Sequence, residues 1–562
     1  NIYDADYNFA QAPFMPTLTA IPGDERVILT WDTVAVASFD RFSQTFDFEG
    51  FKLYKGTDPL LSDSRVISNI DGIPTFYKPL ARWDLDNGLK GPVTVLEGEA
   101  VYDLGSDSGL SYYYVDEDVN NGVKYYYALV AYDHGIPDPD TGDPTIDPQE
   151  NIFNISIDLA GNIQGVSNNA AIVIPRSRPA GYVDGDVNED LSSVTEGLGS
   201  GSLLVRVINE SDVEPDRPYR VRFYSEEDDN PGTDLEVTTA YDIFDVAANE
   251  VRVQKSPLVP VSPMVDGFVV EVNNIPVNPG VIEYQAEQTG YVSNAGTANE
   301  LVDLNAMLLD GFETNWMATV SRDSTGAFFH TQDDFELRWV NPTDSTYMPP
   351  RFGFTFLRTA IPVFAINLKS NSVVHLFIED RDGDKAFGSE DALIVAERVG
   401  FQYKFRHRIT FAVPNGETSV APKAGDVLRM RTIKEFQTGD FFQFTLKNSV
   451  IDTDLAKNEL DDIAVVPNPY VGGSLFEGRS QISGRGERQI EFINLPQQCT
   501  ISIFNIRGEI VDTIEHDGIG SNGTAKWDLQ TSGLQDIAFG VYIYHVKAPG
   551  IGEFVGKFAV VK

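Results

Sequence analysis

Asn121-Gly122-Val123-Lys124-Tyr125-Tyr126-Tyr127-Ala128-Leu129-Val130-Ala131-Tyr132 decides the fold class of this chain. Asn-Gly is a tight-turn signal. Behind it, Tyr125, Tyr127, Leu129 and Ala131 share one face at the period of two that a β-strand imposes. A face of this kind packs as a sandwich core, and a sugar-stacking platform is the alternative use of the same rings. Upstream, Arg26-Val-Ile-Leu-Thr-Trp31 alternates and ends on a tryptophan, and Phe51-Lys-Leu-Tyr54 reads as another strand. Downstream, Ala171-Ile-Val-Ile174 runs into Pro175, and Arg176-Ser-Arg-Pro-Ala-Gly181 has the composition of a linker. Residues 1–180 therefore form a first β domain.

The same texture continues through 181–455. Leu203-Leu-Val-Arg-Val207, Tyr219-Arg-Val-Arg-Phe223, Gly267-Phe-Val-Val-Glu-Val272, Phe335-Glu-Leu-Arg-Trp339 and Val373-Val-His-Leu-Phe-Ile378 are strand-like. No long stretch of helical period competes with them. The region is large for one sandwich and has room for two sub-domains, whose boundary the sequence leaves open. Residues 456–562 form a last unit. Together these readings predict an all-β chain of tandem sandwiches.

Composition narrows the function. The chain has 562 residues and a formal net charge of −42. Phosphate backbones and anionic membranes repel such a surface, which sets nucleic-acid binding aside. The acidity fits a surface adapted to a salty medium, cation binding by some of the carboxylates, or both. Cys499 is the one cysteine, so neither an intramolecular disulfide nor a cysteine metal site is available. No apolar run reaches the length of a membrane-spanning helix. The opening Asn-Ile-Tyr-Asp-Ala-Asp-Tyr reads as a processed or truncated start.

The first domain resembles a fibronectin type III module. Trp31 on an early strand, the strand at 51–54 and the Asn-Gly-x-x-Tyr-x-Tyr-x-Leu-x-Ala run carry the resemblance. It implies that Tyr125 plays the tyrosine-corner role, and that insertions near 60–110 and 134–165 account for the extra length. The last unit is similar to the C-terminal sorting domain of type IX secretion cargo, found in surface proteins of Bacteroidota, Ignavibacteria and Rhodothermota type. Four motifs in order carry this likeness. They are Pro467-Asn468-Pro469, Asn505-Ile-Arg-Gly508, Gly540-Val-Tyr542 and the closing Lys557-Phe-Ala-Val-Val-Lys562. The resemblance implies an immunoglobulin-like sandwich, export by the type IX machinery, and a place outside the cell or on the outer membrane surface.

One loop has the donors for a metal. Asp380-Arg-Asp382-Gly383-Asp384 places carboxylates at positions 1, 3 and 5, and Asp391 stands at position 12. The glycine position and the flanking strands exclude an EF-hand. Hard oxygen donors without imidazole favour structural calcium, with a plain acidic turn as the alternative reading. Asp184-Gly-Asp186-Val-Asn188-Glu-Asp190 is similar to half a dockerin loop, and Asp138-Pro-Asp140-Thr-Gly-Asp143 is a second acidic loop; both read better as solvated turns. Catalytic signatures are missing: there is no HExxH, GxSxG or P-loop. Cys499 reads as a small buried apolar residue.

These features predict a secreted or surface structural or interaction protein that is not an enzyme, and in the most specific version a self-associating subunit of a filament or layer. The competing expectations are the accessory end of a secreted hydrolase and a carbohydrate-binding protein. Trp316 and Trp339 are the aromatic residues a sugar platform would use.

Overall fold

The computed structural model describes residues 10–561 apart from 65–66, 69–73, 95–100, 138–143, 159–162, 188–198, 229–232, 259–260, 278–282, 286–288, 294–300, 304–313, 323–328, 352–355, 473–487 and 519–520. The chain is all-β, and four hydrophobic cores organise most of it. In the first domain, a sheet of Leu18–Pro22, Val27–Trp31 and Tyr113–Asp116 faces a second sheet. The second runs in the order Ala170–Val173, Tyr125–Asp133, Phe48–Gly56 and Ala81–Asp84. This is a fibronectin type III-like arrangement. Trp31 is buried, with its ring 6.0 Å from Phe51 and 4.9 Å from Trp83. The Tyr125 hydroxyl accepts the Asn120 N–H at 3.0 Å, which closes the tyrosine corner.

The Tyr125 strand is buried along its whole length. Tyr125, Tyr127, Leu129 and Ala131 enter the core between the sheets, as their spacing predicts. Tyr126, Ala128 and Val130 are buried as well, in a satellite cluster with Tyr54, Leu61 and Ile155. Leu61 and Ile155 come from the two insertions, so the extra chain covers what is otherwise the solvent face of the sheet.

The middle region contains two nested sub-domains. In the first, Ser202–Val207 and Phe268–Asn273 pack on a sheet ordered Glu250–Ser256, Glu236–Asp245, Tyr219–Glu227 and Phe441–Phe444. The chain leaves this unit after Phe268–Asn273 and returns to it with Phe436, Phe442 and Phe444. The excursion builds a nine-stranded antiparallel sheet that encloses a single core. Its ends approach each other, and the Tyr291 hydroxyl donates to the Trp316 carbonyl at 3.0 Å. The junction between the sub-domains is polar and dry: Asp334, Thr432 and Lys434 are all at most 1% exposed.

The C-terminal sandwich packs Ala464–Val466, Ile490–Ile493 and Ala525–Trp527 against a five-stranded sheet. Residues 176–181 dock on this sandwich, where composition predicts a free linker. The Gly523 N–H donates to the Ser177 carbonyl at 2.8 Å, and the Ala180 N–H donates to the Leu495 carbonyl at 3.0 Å. Immediately after this contact, Tyr182–Val183 pairs with Val450–Ile451, so the middle region begins and ends at one place. Gly523 permits the docking, because a Cβ there would lie 2.1 Å from the Arg178 carbonyl oxygen. Gly523→Val should therefore expel the segment. Limited trypsin digestion is expected to cut the variant at the Arg176–Ser177 bond well before the parent chain, and equal cutting rates would refute the docking.

Candidate functional site

The sorting-type motifs lie far apart in sequence and meet at one end of the five-stranded sheet. That sheet is ordered Tyr470–Val471, Gly552–Val561, Gly540–Ala548, Gln498–Asn505 and Ile510–Asp517. Pro467 and Pro469, on either side of Asn468, both follow cis peptide bonds. The Asn468 side-chain amide donates to the Lys557 carbonyl at 3.2 Å, and its Oδ1 accepts the Ala559 N–H at 3.1 Å. One side chain thus pins the strand on both sides of Phe558. Tyr470 then continues beside it in parallel, opposite Val560.

The other motifs follow by register. Gly540 stands opposite Val560 and Tyr542 opposite Phe558. The Tyr542 and Phe558 rings stack at 5.6 Å, and the Tyr542 hydroxyl donates to the Ala538 carbonyl at 2.7 Å. Across the next strand pair, Tyr542 stands opposite Asn505. The Asn505 Oδ1 accepts the N–H groups of Arg507 and Glu509, and Gly508 supplies the left-handed residue of that turn at φ +82°. Glycine takes this conformation without steric cost. Pro467, Asn468, Pro469, Gly508, Gly540, Tyr542 and Lys557 therefore belong to one end of one sheet. Lys562 lies outside the described residues. Val541, Val561 and Val471 are exposed at the same end.

Cys499 faces the core of this sandwich and is 4% exposed. Burial, with the Glu515 charge adding to it, pushes its thiol up to about 12. At pH 8 only about one molecule in ten thousand then carries the reactive thiolate. The folded chain should leave an aromatic disulfide reagent unreacted over an hour at pH 8, and consume one equivalent in denaturant. Rapid native labelling would place the thiol at the surface.

The acidic loop of the middle region forms between Ser372–Glu379 and Ala392–Val399. Asp380, Asp382 and Asp384 each offer a carboxylate oxygen within 4.8 Å of the others. Asp391 is not one of this group. It is fully buried, and its carboxylate accepts the N–H groups of Arg381 at 3.0 Å and Gly388 at 2.8 Å. Position 12 is thus a staple that closes the loop. Of the other acidic loops, 138–143 and 188–190 lie outside the described residues, while the Asp184 carboxylate binds Arg178 at 2.7 Å.

Trp316 and Trp339 form no sugar platform. They are 5% and 4% exposed and belong to the core of the nine-stranded unit. Among the described residues, no helix is long and apolar enough to cross a membrane, which says nothing about spanning by strands.

No protein-family model matches the chain. The search of curated proteins found no match. Among solved structures, the chain is similar to PorZ, an essential bacterial surface component of the type-IX secretion system of Porphyromonas gingivalis. Identity is 11%, with 99% of this chain and 76% of that chain covered, and the TM-score is 0.16. Dimeric latent PorU from Porphyromonas gingivalis is 10% identical, with 97% and 34% covered and a TM-score of 0.13. A tetra-tandem repeat from the extending region of a large adhesion protein is 9% identical, with 98% and 99% covered and a TM-score of 0.11. Likenesses at such TM-scores carry no argument about function, which rests on the motifs and their geometry.

Proposed function

We propose that this chain is an exported surface protein with a structural or interaction role, whose C-terminal sandwich is the address read by the type IX secretion machinery. The convergence of four motifs, spread over residues 467–561, at one end of one sheet supports this reading. In a host with a working type IX system, the full chain is expected outside the cell, and a version lacking 456–562 is expected to stay in the periplasm. Asn468→Ala with Gly540→Val should lower export at least tenfold while the purified variant keeps its β circular dichroism. Equal export of the truncated chain would overturn the proposal.

The remaining sandwiches act as a non-catalytic body that presents surfaces and associates with further copies outside the cell. On this reading, calcium at Asp380, Asp382 and Asp384 stiffens the loop that Asp391 closes. Hard carboxylate oxygens suit that ion. Electron microscopy of the protein released from its native cells, with and without a chelator, tests the assembly. Ordered filaments or sheets that loosen on chelation support it, and dispersed particles indifferent to chelator would sink it.

A further inference from the structure

Glu49 holds a carboxyl where its charge is disfavoured. It lies on the strand Phe48–Gly56, is fully buried, and its Oε1 has no hydrogen-bond partner. Its Oε2 accepts the Asn87 side-chain amide at 3.0 Å. Among the described residues, no lysine or arginine forms an ion pair with it. The basic side chains of this corner are engaged elsewhere, Arg82 with Asp103 at 2.6 Å and Lys90 with Asp107 at 2.5 Å. The charges that act on Glu49 are negative, from Asp84 and Asp107. Asp84 is fully buried too, but Ser106, Asp107 and Ser108 each donate to its carboxylate.

Two stretches of the first insertion, 85–91 and 103–108, close over this pair. The Gly91 N–H donates to the Gly105 carbonyl at 2.9 Å and the Leu104 N–H to the Gly91 carbonyl at 3.0 Å, so the stretches move as one. Their hold on the sandwich runs through the acids. Asn87 bonds the Glu49 carboxyl, the Leu85 N–H bonds the Glu49 carbonyl at 2.9 Å, and residues 106–108 bond Asp84. The Tyr132 hydroxyl adds a bond to the Leu104 carbonyl at 2.5 Å. Gly105, at φ +141°, lies directly on the buried acid, since a Cβ there would stand 2.2 Å from the Asp84 Cγ.

A buried carboxylate with an oxygen lacking any donor, and with no counter-charge, is less stable than the neutral acid. Burial foremost, with the Asp84 and Asp107 charges adding to it against the Asn87 amide, raises the Glu49 carboxyl from 4.5 to about 7. The other titratable groups of the corner are Arg82 on Ala81–Asp84, Tyr132 and Asp133 on Tyr125–Asp133, Asp86 and Lys90 on the first stretch, and Asp103 and Asp107 on the second. None of them gives Glu49 a cationic partner.

We infer that Glu49 is a proton-operated latch: while it carries its proton it holds 85–91 and 103–108 shut on the first sandwich, and when it loses the proton they lift. This inference goes beyond export and assembly and depends on neither. The shut form keeps a proton that the open form releases. Opening is therefore favoured progressively as pH rises from 4.5 to about 7, and levels off above that.

Hydrogen exchange of the full chain, read by mass spectrometry at pH 5 and pH 7 and corrected for the pH dependence of free-peptide exchange, tests the latch. Opening of the 103–108 amides in the parent is expected to rise about thirtyfold across this interval. The strand Gln498–Asn505 of the C-terminal sandwich is the internal reference and should keep its protection. Glu49→Gln has no proton to lose and should flatten the rise to less than about threefold. Glu49→Leu is the second variant and is expected to do the same. Equal opening of the parent at the two pH values would overturn the inference. So would a rise that persists in a folded variant, which would assign the response to Asp47 and Asp133, whose carboxyls burial also raises.

Discussion

Asp334→Ala should destabilise the middle region by about 3–5 kcal/mol, the cost typical of removing one partner from a buried charge pair. Asp334 is 1% exposed and sits where the two nested sub-domains meet. Its Oδ1 lies 2.6 Å from the Lys434 ammonium and accepts the Thr432 N–H at 2.9 Å, and its Oδ2 lies 2.6 Å from Arg431. Lys434 is fully buried. Burial lowers its pKa, and Asp334 is the main group opposing that shift. Without the carboxylate, a buried ammonium loses its close partner and is left with only the weaker influence of the Asp333 charge. Lys434→Met should cost less, because Asp334 keeps Arg431 and the Thr432 amide while the methionine fills the vacated space. Urea unfolding followed by tryptophan fluorescence reports the transition, since Trp316 and Trp339 belong to the adjoining core. Equal stability of Asp334→Ala and the parent would refute this account of the junction.

The second large effect belongs to the terminal strand. Phe558→Ala should cost the C-terminal sandwich about 3–5 kcal/mol, the usual price of emptying a buried aromatic site. Phe558 is 2% exposed, and its ring meets those of Phe492, Trp527, Tyr542 and Tyr544 at 5.6–6.3 Å. A cavity there opens between the two sheets, beneath the strand that Asn468 pins. Val555 is on the same strand but 63% exposed, so Val555→Ala is expected to stay within about 0.5 kcal/mol of the parent. Thermal unfolding of the full chain, with proteolysis assigning the transition to the last sandwich, should separate the two variants. Similar melting of both would show that the strand is not packed as described.

The sequence made the Tyr125 strand legible because period-two spacing directly records which side chains face a core. It did not record that Tyr126, Ala128 and Val130 are buried too, since the cover comes from insertions distant in the chain. The C-terminal motifs could each be found by their wording. Their meeting depends on strand register between Asn468 and residues 557–559, which no local pattern encodes. The two nested sub-domains were hidden for a similar reason: Phe436, Phe442 and Phe444 complete a core begun more than two hundred residues earlier. Asp391 misled because spacing gives a position in a loop but not the direction of a carboxylate.

The docking of residues 177–180 on the C-terminal sandwich also decides where mechanical load travels. Tension applied between the first sandwich and the terminal strand enters the last sandwich at Ser177 and Ala180, ahead of the point where the chain departs at Tyr182. Residues 182–451 hang from that junction as a side branch rather than a link in series. While the dock holds, the middle sub-domains are spared the pull, and a partner held on them is not loosened by drag on the rest of the chain.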